Sequence, residues 1–253
     1  EMEEEVKTYY LACMDKQSSQ REEKAFVEQI KKELEQVKTR QEFVDMVAKN
    51  ITNPARLSFV NFDADTPNLD RPVYNDLLFV TSLMSLPEKS YYEKEELTKD
   101  LKELIEQFFV AIGGDSPKQQ AGWVFDFERG LAQEYPDPPE VIERIYSRTE
   151  IKKEELIKDY PSLKLEKFLF GIPKHTIIRN IIGNNTMGFL DKKLQTASLG
   201  ELKSVFLYFQ LKSIMDDAYP DLFNRRFEFR KKYFGGPSKR PNRQERCTRV
   251  VMS

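Results

Sequence analysis

Histidine occurs once in this 253-residue sequence, as His175. A hydrolytic zinc centre takes three protein ligands and leaves a fourth position open. Its usual helix carries two histidines one turn apart, so a single histidine excludes that helix. Serine and cysteine mechanisms need a base, most often His, steadied by a third group. His175 lies in Ile172-Pro173-Lys174-His175-Thr176 with no glycine-flanked serine nearby, and reads as a surface or boundary residue. No catalytic and no metal-ligating residue is assigned. Long apolar runs are also missing: nothing approaches the roughly 20 residues of a membrane span. The opening Glu1-Met2-Glu3-Glu4-Glu5 is too acidic for a signal peptide and suggests a trimmed or mature product. Glycine is sparse, and its pairs Gly113-Gly114 and Gly235-Gly236 fall at helix ends rather than in a phosphate-binding loop.

Cysteine occurs twice, as Cys13 and Cys247 near opposite ends. On residue grounds they form one long-range disulfide, two free thiols, or partners to segments outside this sequence. The triplets Asn50-Ile51-Thr52 and Asn184-Asn185-Thr186 are glycosylation acceptors and tilt the reading toward secretion.

Charge of one sign is lacking too. The net value of −2 gives no overall field to draw nucleic acid or an anionic membrane. Its distribution is uneven. From Asn224 onward ten Lys and Arg face two Glu, an excess of +8, whereas Glu1 to Lys24 holds seven acids against four bases. The basic stretch reads as a solvated helix face plus a tail, set toward the acidic opening across the two cysteines. A polyanion such as heparin is the alternative ligand. Asp63 to Asp70 has oxygen ligands at calcium-like spacing, but lacks the central Gly of an EF-hand loop, and Tyr74 stands where its closing Glu belongs. It reads as an ordinary acidic turn.

Helical spacing dominates the rest. Residues 22–38 place Phe26, Val27, Ile30, Leu34 and Val37 on one face, and residues 97–112 carry a long stripe from Leu97 to Ile112. Thr39-Arg40-Gln41-Glu42 and Ser198-Leu199-Gly200-Glu201 are capping boxes. Ser116-Pro117 and Asp137-Pro138 are cap-then-proline starts, and a last helix is expected over about 221–233. The exception is 57–80, where alternation from Leu57, a turn-rich centre and an apolar Val73 to Val80 predict a β-hairpin. Ile177 to Ile182 suits another short strand. No linker and no internal repeat interrupt the chain. The expectation is a single, mainly α, multi-helix domain over 1–253 with a small hairpin.

Five short patterns in order resemble the neprilysin family of zinc metalloendopeptidases. They are Tyr10-Leu11-Ala12-Cys13-Met14-Asp15, then Leu86-Pro87-Glu88-Lys89-Ser90-Tyr91-Tyr92, then Glu128-Arg129-Gly130-Leu131-Ala132. Tyr146-Ser147-Arg148-Thr149 with Leu156 and Pro161 follows, and Phe227 to Gly235 with Arg246-Cys247 closes the set. The chain departs from the family at Leu165, where Trp is usual, and in the 63–70 loop, which lacks the usual Lys-Asn.

The resemblance implies a helical domain that caps a catalytic half and limits substrates by size, with Cys13 paired to Cys247. It implies a secreted protein or the ectodomain of a type II membrane protein, reaching the membrane only through an anchor upstream of Glu1. The family's zinc and catalytic residues would lie beyond Ser253, so none is carried over to this chain. The partner is then the parent's catalytic domain. The alternative is a natural, inactive, secreted homologue that binds a peptide, a small molecule or a protein, with a homodimer as one way to cover the face left open.

Overall fold

The computed structural model describes residues 2–64, 76–147 and 150–252. Most of the Asp63 to Asp70 turn, with Val73 and Tyr74, therefore lies outside the described residues, as do Arg148 and Thr149 of the fourth family-like pattern.

The fold is built around a helix that is apolar on nearly every side, α10 (Leu199–Leu211). It buries Leu202, Val205, Phe206, Leu207, Tyr208, Phe209 and Leu211, and such a helix belongs in the middle of a core. Around it pack α2 (Lys16–Gln36), α3 (Arg40–Asn50), α4 (Glu95–Ala111) and α5 (Pro117–Glu134), each amphipathic and each turning its stripe inward. The stripe of α2 buries Val27, Ile30 and Leu34, and that of α4 buries Leu97, Leu101, Ile105, Phe108 and Phe109, as their spacing predicts. Aromatic edges interlock at the centre, with Phe43 set edge-on to Phe59 and to Phe206 at 5.9 and 6.1 Å between ring centroids.

The cap at Thr39 is a full reciprocal box. The Glu42 amide donates to Thr39 Oγ1 at 3.2 Å, and the Thr39 amide donates to Glu42 Oε2 at 3.1 Å. At Ser198 only half of the box forms. The Glu201 amide donates to Ser198 Oγ at 3.1 Å, but the Glu201 carboxylate turns to Lys193 at 2.7 Å, an ion pair with α9 (Gly183–Thr196).

The expected hairpin exists but is shorter. Strands β1 (Asn61–Ala64) and β2 (Leu77–Val80) are antiparallel with Phe62 opposite Phe79. Residues 57–60 are not strand: all four are buried in the core without a ladder, so the alternation at Leu57 is overruled by packing. The suspected strand near Ile177 reduces to β3 (Ile178–Arg179), which pairs in parallel with β2. On this sheet Arg179 and Asp76 form an ion pair at 3.5 Å with both side chains almost fully buried.

Two short helices and a longer one fill the second half: α6 (Pro138–Ser147), α7 (Lys153–Asp159) and α8 (Glu166–Gly171). Leu165, the departure from the family's Trp, is buried in the core. The last helix foreseen from sequence, α11 (Pro220–Phe234), is followed by one that was not, α12 (Arg243–Met252). The basic stretch is therefore two helices rather than a helix and a tail.

Helix α12 packs on α1 (Met2–Met14), and the two are joined by the disulfide Cys13–Cys247, with Cα atoms 5.7 Å apart and a sequence separation of 234. Closing so long a loop removes entropy from the unfolded chain equivalent to about 5 kcal/mol in the chain-entropy picture.

Candidate functional site

Helix α5 carries an acid, Glu128, on its buried stripe between Phe125 and Leu131. Its side chain is fully enclosed. A carboxylate in such a place must find donors or a counter-charge, and Glu128 has both. It accepts the Ser85 amide at 3.0 Å, the Ser85 hydroxyl at 2.8 Å and the Tyr92 hydroxyl at 2.8 Å. Lys212, just past the end of α10, supplies the charge. Its ammonium donates to Ser85 Oγ at 3.2 Å and to the Met84 carbonyl at 3.3 Å, and lies 4.1 Å from the centre of the Phe209 ring. The Tyr208 hydroxyl lies 3.2 Å from Ser85 Oγ and completes the group.

The electrostatics follow from enclosure. Burial pushes the Glu128 carboxyl upward, against the opposing pull of Lys212 and of the bonds from Ser85 and Tyr92. Burial lowers the Lys212 ammonium to about 8, with the attraction of Glu128 working the other way and the Arg226 charge adding to the depression. The Tyr92 and Tyr208 hydroxyls are both raised, first by burial and then by the Glu128 charge. These groups bond one another, so the arrangement acts as a brace: it pins residues 84–92 to α5 and α10.

This brace gathers the family-like patterns. Leu86 is buried, Pro87 is exposed, and Tyr92 joins the second pattern to Glu128 of the third. The neighbouring Tyr91 ring sits 5.2 Å from that of Phe234, so the second pattern also meets the last, while the Lys94 ammonium lies 4.0 Å from the centre of the Tyr91 ring. The first and last patterns meet through Cys13–Cys247. Sequence reasoning quoted Glu128 but did not assign it a role, and it missed Ser85, Tyr208 and Lys212. The readable signal was an acid on an otherwise apolar helix stripe.

Near the disulfide, Arg243 reaches the Cys13 carbonyl, donates to the Met14 carbonyl at 3.1 Å and pairs with Asp217 at 2.7 Å. Arg246 pairs with the same Asp217 at 3.0 Å. Among the described residues, Arg226, Arg243 and Arg246 of the basic stretch pair with Asp216 and Asp217, before α11, and Lys232 pairs with Glu96 and Asp100 of α4. Burial pushes Asp217 up, but the bonds from Arg243 and Arg246 outweigh it and hold the carboxyl below its ordinary value.

The two acceptor asparagines differ. Asn50 is half-buried at the end of α3, and its Nδ2 donates to the Leu57 carbonyl at 2.8 Å. Asn184 is exposed in the first turn of α9. His175 is exposed. Both cysteines are consumed in the disulfide, and among the described residues no group of three or more His, Cys, Asp and Glu could hold a metal ion. The donors among the described residues do not fit a zinc centre. No described helix is long and apolar enough to cross a membrane.

A disulfide-closed, mainly helical domain with a small mixed sheet and an enclosed Glu–Tyr–Lys brace is the class that this fold defines. Solved zinc metalloproteases contain the same fold. Zmp1 of Mycobacterium tuberculosis in its open state superposes with a TM-score of 0.77 at 15% identity, over 96% of this chain and 39% of that one. Zmp1 in complex with an inhibitor gives 0.74 at 15%, over 96% and 38%. PepO from Lactobacillus rhamnosis HN001 gives 0.78 at 13%, over 98% and 40%. The chain therefore spans about two fifths of the length of the solved structures it matches. No curated protein matches it by sequence. The model of the N-terminal part of peptidase family M13 matches residues 1–253, and the chain belongs to that family.

Proposed function

We propose that this domain is the non-catalytic helical cap of an M13 zinc metallopeptidase, which covers the active site of a companion catalytic half and limits substrates by size. The observation that carries this reading is α1. It is tied down at its C-terminal end by the disulfide, yet leaves Val6, Tyr9 and Leu11 exposed by 43, 59 and 56% around its circumference. A helix with apolar residues exposed on more than one side is suited to lie against another body. The zinc and the residues that use it belong, in this reading, to the companion half, because the donors here do not suit that metal. The domain's own part is to wall off volume, and the rigidity of the brace serves that role.

Intact mass of the native, source-purified protein, together with a substrate series of increasing length, tests the proposal. A mass well above 29.8 kDa, with cleavage of short peptides and none of folded proteins, is the expected result. Equal cleavage of short and folded substrates would overturn the size-limiting role.

A second reading is a stand-alone, inactive homologue that binds a peptide, a small molecule or another protein, or pairs with its own copy. It is favoured by a chain that closes its core and its disulfide within residues 13–247. A native mass near 30 kDa plus glycans would select it. Either reading puts the protein in the secretory pathway, as a secreted chain or an ectodomain.

A further inference from the structure

Beside the disulfide lies a second feature that the cap reading does not use. A cavity of about 320 Å³ is lined by Lys16, Asp216, Asp217, Arg240, Arg243 and Arg246. Four cations line it against two carboxylates. Both carboxylates are already committed: Asp217 to Arg243 and Arg246, and Asp216 to Arg226, which reaches in from α11. With Arg226 included, and with the Glu23 carboxylate that accepts the Asp217 amide at 3.0 Å, five cations face three acids, a surplus of two.

The surplus rests on Lys16 and Arg240. Neither has a carboxylate partner among the described residues. Arg240 donates to the neutral Asn224 Oδ1 at 2.6 Å and stacks on Phe223 at 4.0 Å from the ring centre. The guanidinium groups of Arg226 and Arg246 lie 5.4 and 5.3 Å from that same ring. Asp216 and Asp217 offset the charges of Arg226 and Arg246, which leaves Arg240 as the member of the three around this ring without a carboxylate partner among the described residues. Partial burial lowers the Arg240 group and the Arg246 charge adds to it, while Asp216 and Asp217 work the other way without offsetting the two.

We infer that this cavity is a binding site for a compact, doubly charged oxyanion group of the phosphate or sulfate type. Lys16 and Arg240 contact it, while Arg243 and Arg246 form the charged wall behind them. A dianion offsets the surplus, whereas a single carboxylate leaves one charge. The planar fork of Arg240 suits two oxygens of one tetrahedral group, and Lys16 supplies a point charge from the first turn of α2. Bound there, the anion spans the α1–α2 turn and the segment leading into α12, which are the two stretches that Cys13–Cys247 also joins. It would act as a second, reversible clasp at that corner. The inference is independent of whether a catalytic half exists.

Sodium sulfate and sodium phosphate are titrated into the protein at constant ionic strength with chloride as balance, read by calorimetry and by thermal melting. Saturable binding at one site with a rise in Tm is expected. Lys16→Gln and Arg240→Gln should each weaken it at least tenfold, with Lys16→Gln leaving the melting temperature in chloride unchanged. Arg225→Gln, an exposed cation outside the cavity, should leave it intact. Binding no better than chloride, or equal weakening by Arg225→Gln, would overturn the site and leave only a diffuse field. A sulfated disaccharide and a phosphorylated sugar distinguish the sources: tighter binding than the free ion identifies a group carried on a larger molecule, and equal binding identifies the free ion. Should Arg240→Gln fail to fold, Lys16→Gln alone decides the matter, since its side chain is exposed.

Discussion

The hydroxyl of Tyr92 donates to Oε2 of Glu128 at 2.8 Å, and both groups are buried. Thirty-six residues apart, they turn two short sequence patterns into one contact. The pair makes the segment 84–92 an integral wall of the core, although it carries little regular structure of its own.

Removing either partner should be costly and the costs should not add. Tyr92→Phe is expected to lose about 1–2 kcal/mol, the cost of leaving a buried acceptor short of one donor. Glu128→Ala strips Lys212 of its counter-charge and should cost about 3–5 kcal/mol. Urea unfolding of the two single variants and the double variant would show a coupling above about 1 kcal/mol. A coupling near zero would mean that the hydrogen bond contributes nothing to stability.

The disulfide should be found intact by non-reducing peptide mapping. Cys13→Ala should then lower stability by about 2–5 kcal/mol, a fall of about 10 °C in Tm for a chain of this size. An unchanged Tm would show that α1 and α12 are held by their packing alone.

Alkaline pH should first stabilise the domain and then destabilise it. Lysine titrates near 10.4 in an unfolded chain, while Lys212 is lowered to about 8 in the fold. Between these values the unfolded chain binds more protons, so stability rises as pH climbs from about 8. Above about 10 the sign reverses, because the raised Tyr92 and Tyr208 keep protons that unfolded tyrosines lose. Lys212→Met should flatten the rise in urea midpoints between pH 8 and 10, and the same slope in that variant would place the titration elsewhere.

Gly130 stands where α9 crosses α5. A Cβ there would lie 2.8 Å from Cε2 of Phe189, whose ring packs edge-on against Phe127 at 5.5 Å. Ala in place of Gly favours a helix by about 1 kcal/mol, but the overlap should cost about 1–3 kcal/mol. Gly130→Ala is therefore expected to be destabilising, with Phe189→Leu restoring part of the loss. A stabilised Gly130→Ala would show that the ring moves freely.

A glycan, if the protein passes through the secretory pathway, should sit on Asn184. That side chain is exposed, whereas Asn50 spends its amide on Leu57. Loss of one glycan mass in Asn184→Gln, and none in Asn50→Gln, is the expected pattern. The reverse would show that the α3 terminus opens.

The helical half of the fold was legible because its signals are local. The apolar spacing of α2 and α4 and the box at Thr39 need only neighbours in sequence. The disulfide entered through the family resemblance, since residue types alone left three pairings open. What stayed hidden depends on distant partners. Glu128 and Lys212 resemble any of the 42 acids and 40 bases until α5, α10 and residue 85 are brought together. Helix α12 has too few apolar residues to announce itself, and is held by Cys247 and by the pairs of Arg243 and Arg246 with Asp217. Leu57 to Val60 alternate as a strand would, yet all four are buried, a case of packing overriding pattern.

The 5.7 Å between the Cα atoms of Cys13 and Cys247 also has a mechanical meaning. Tension applied to the two ends of the chain would run across one covalent bridge and bypass the 233 residues between them. Only α1 ahead of Cys13 and the part of α12 after Cys247 would bear load. The domain would sit in a stretched polypeptide as a closed bead on a short wire, able to loosen or refold without altering the distance between whatever is attached on either side.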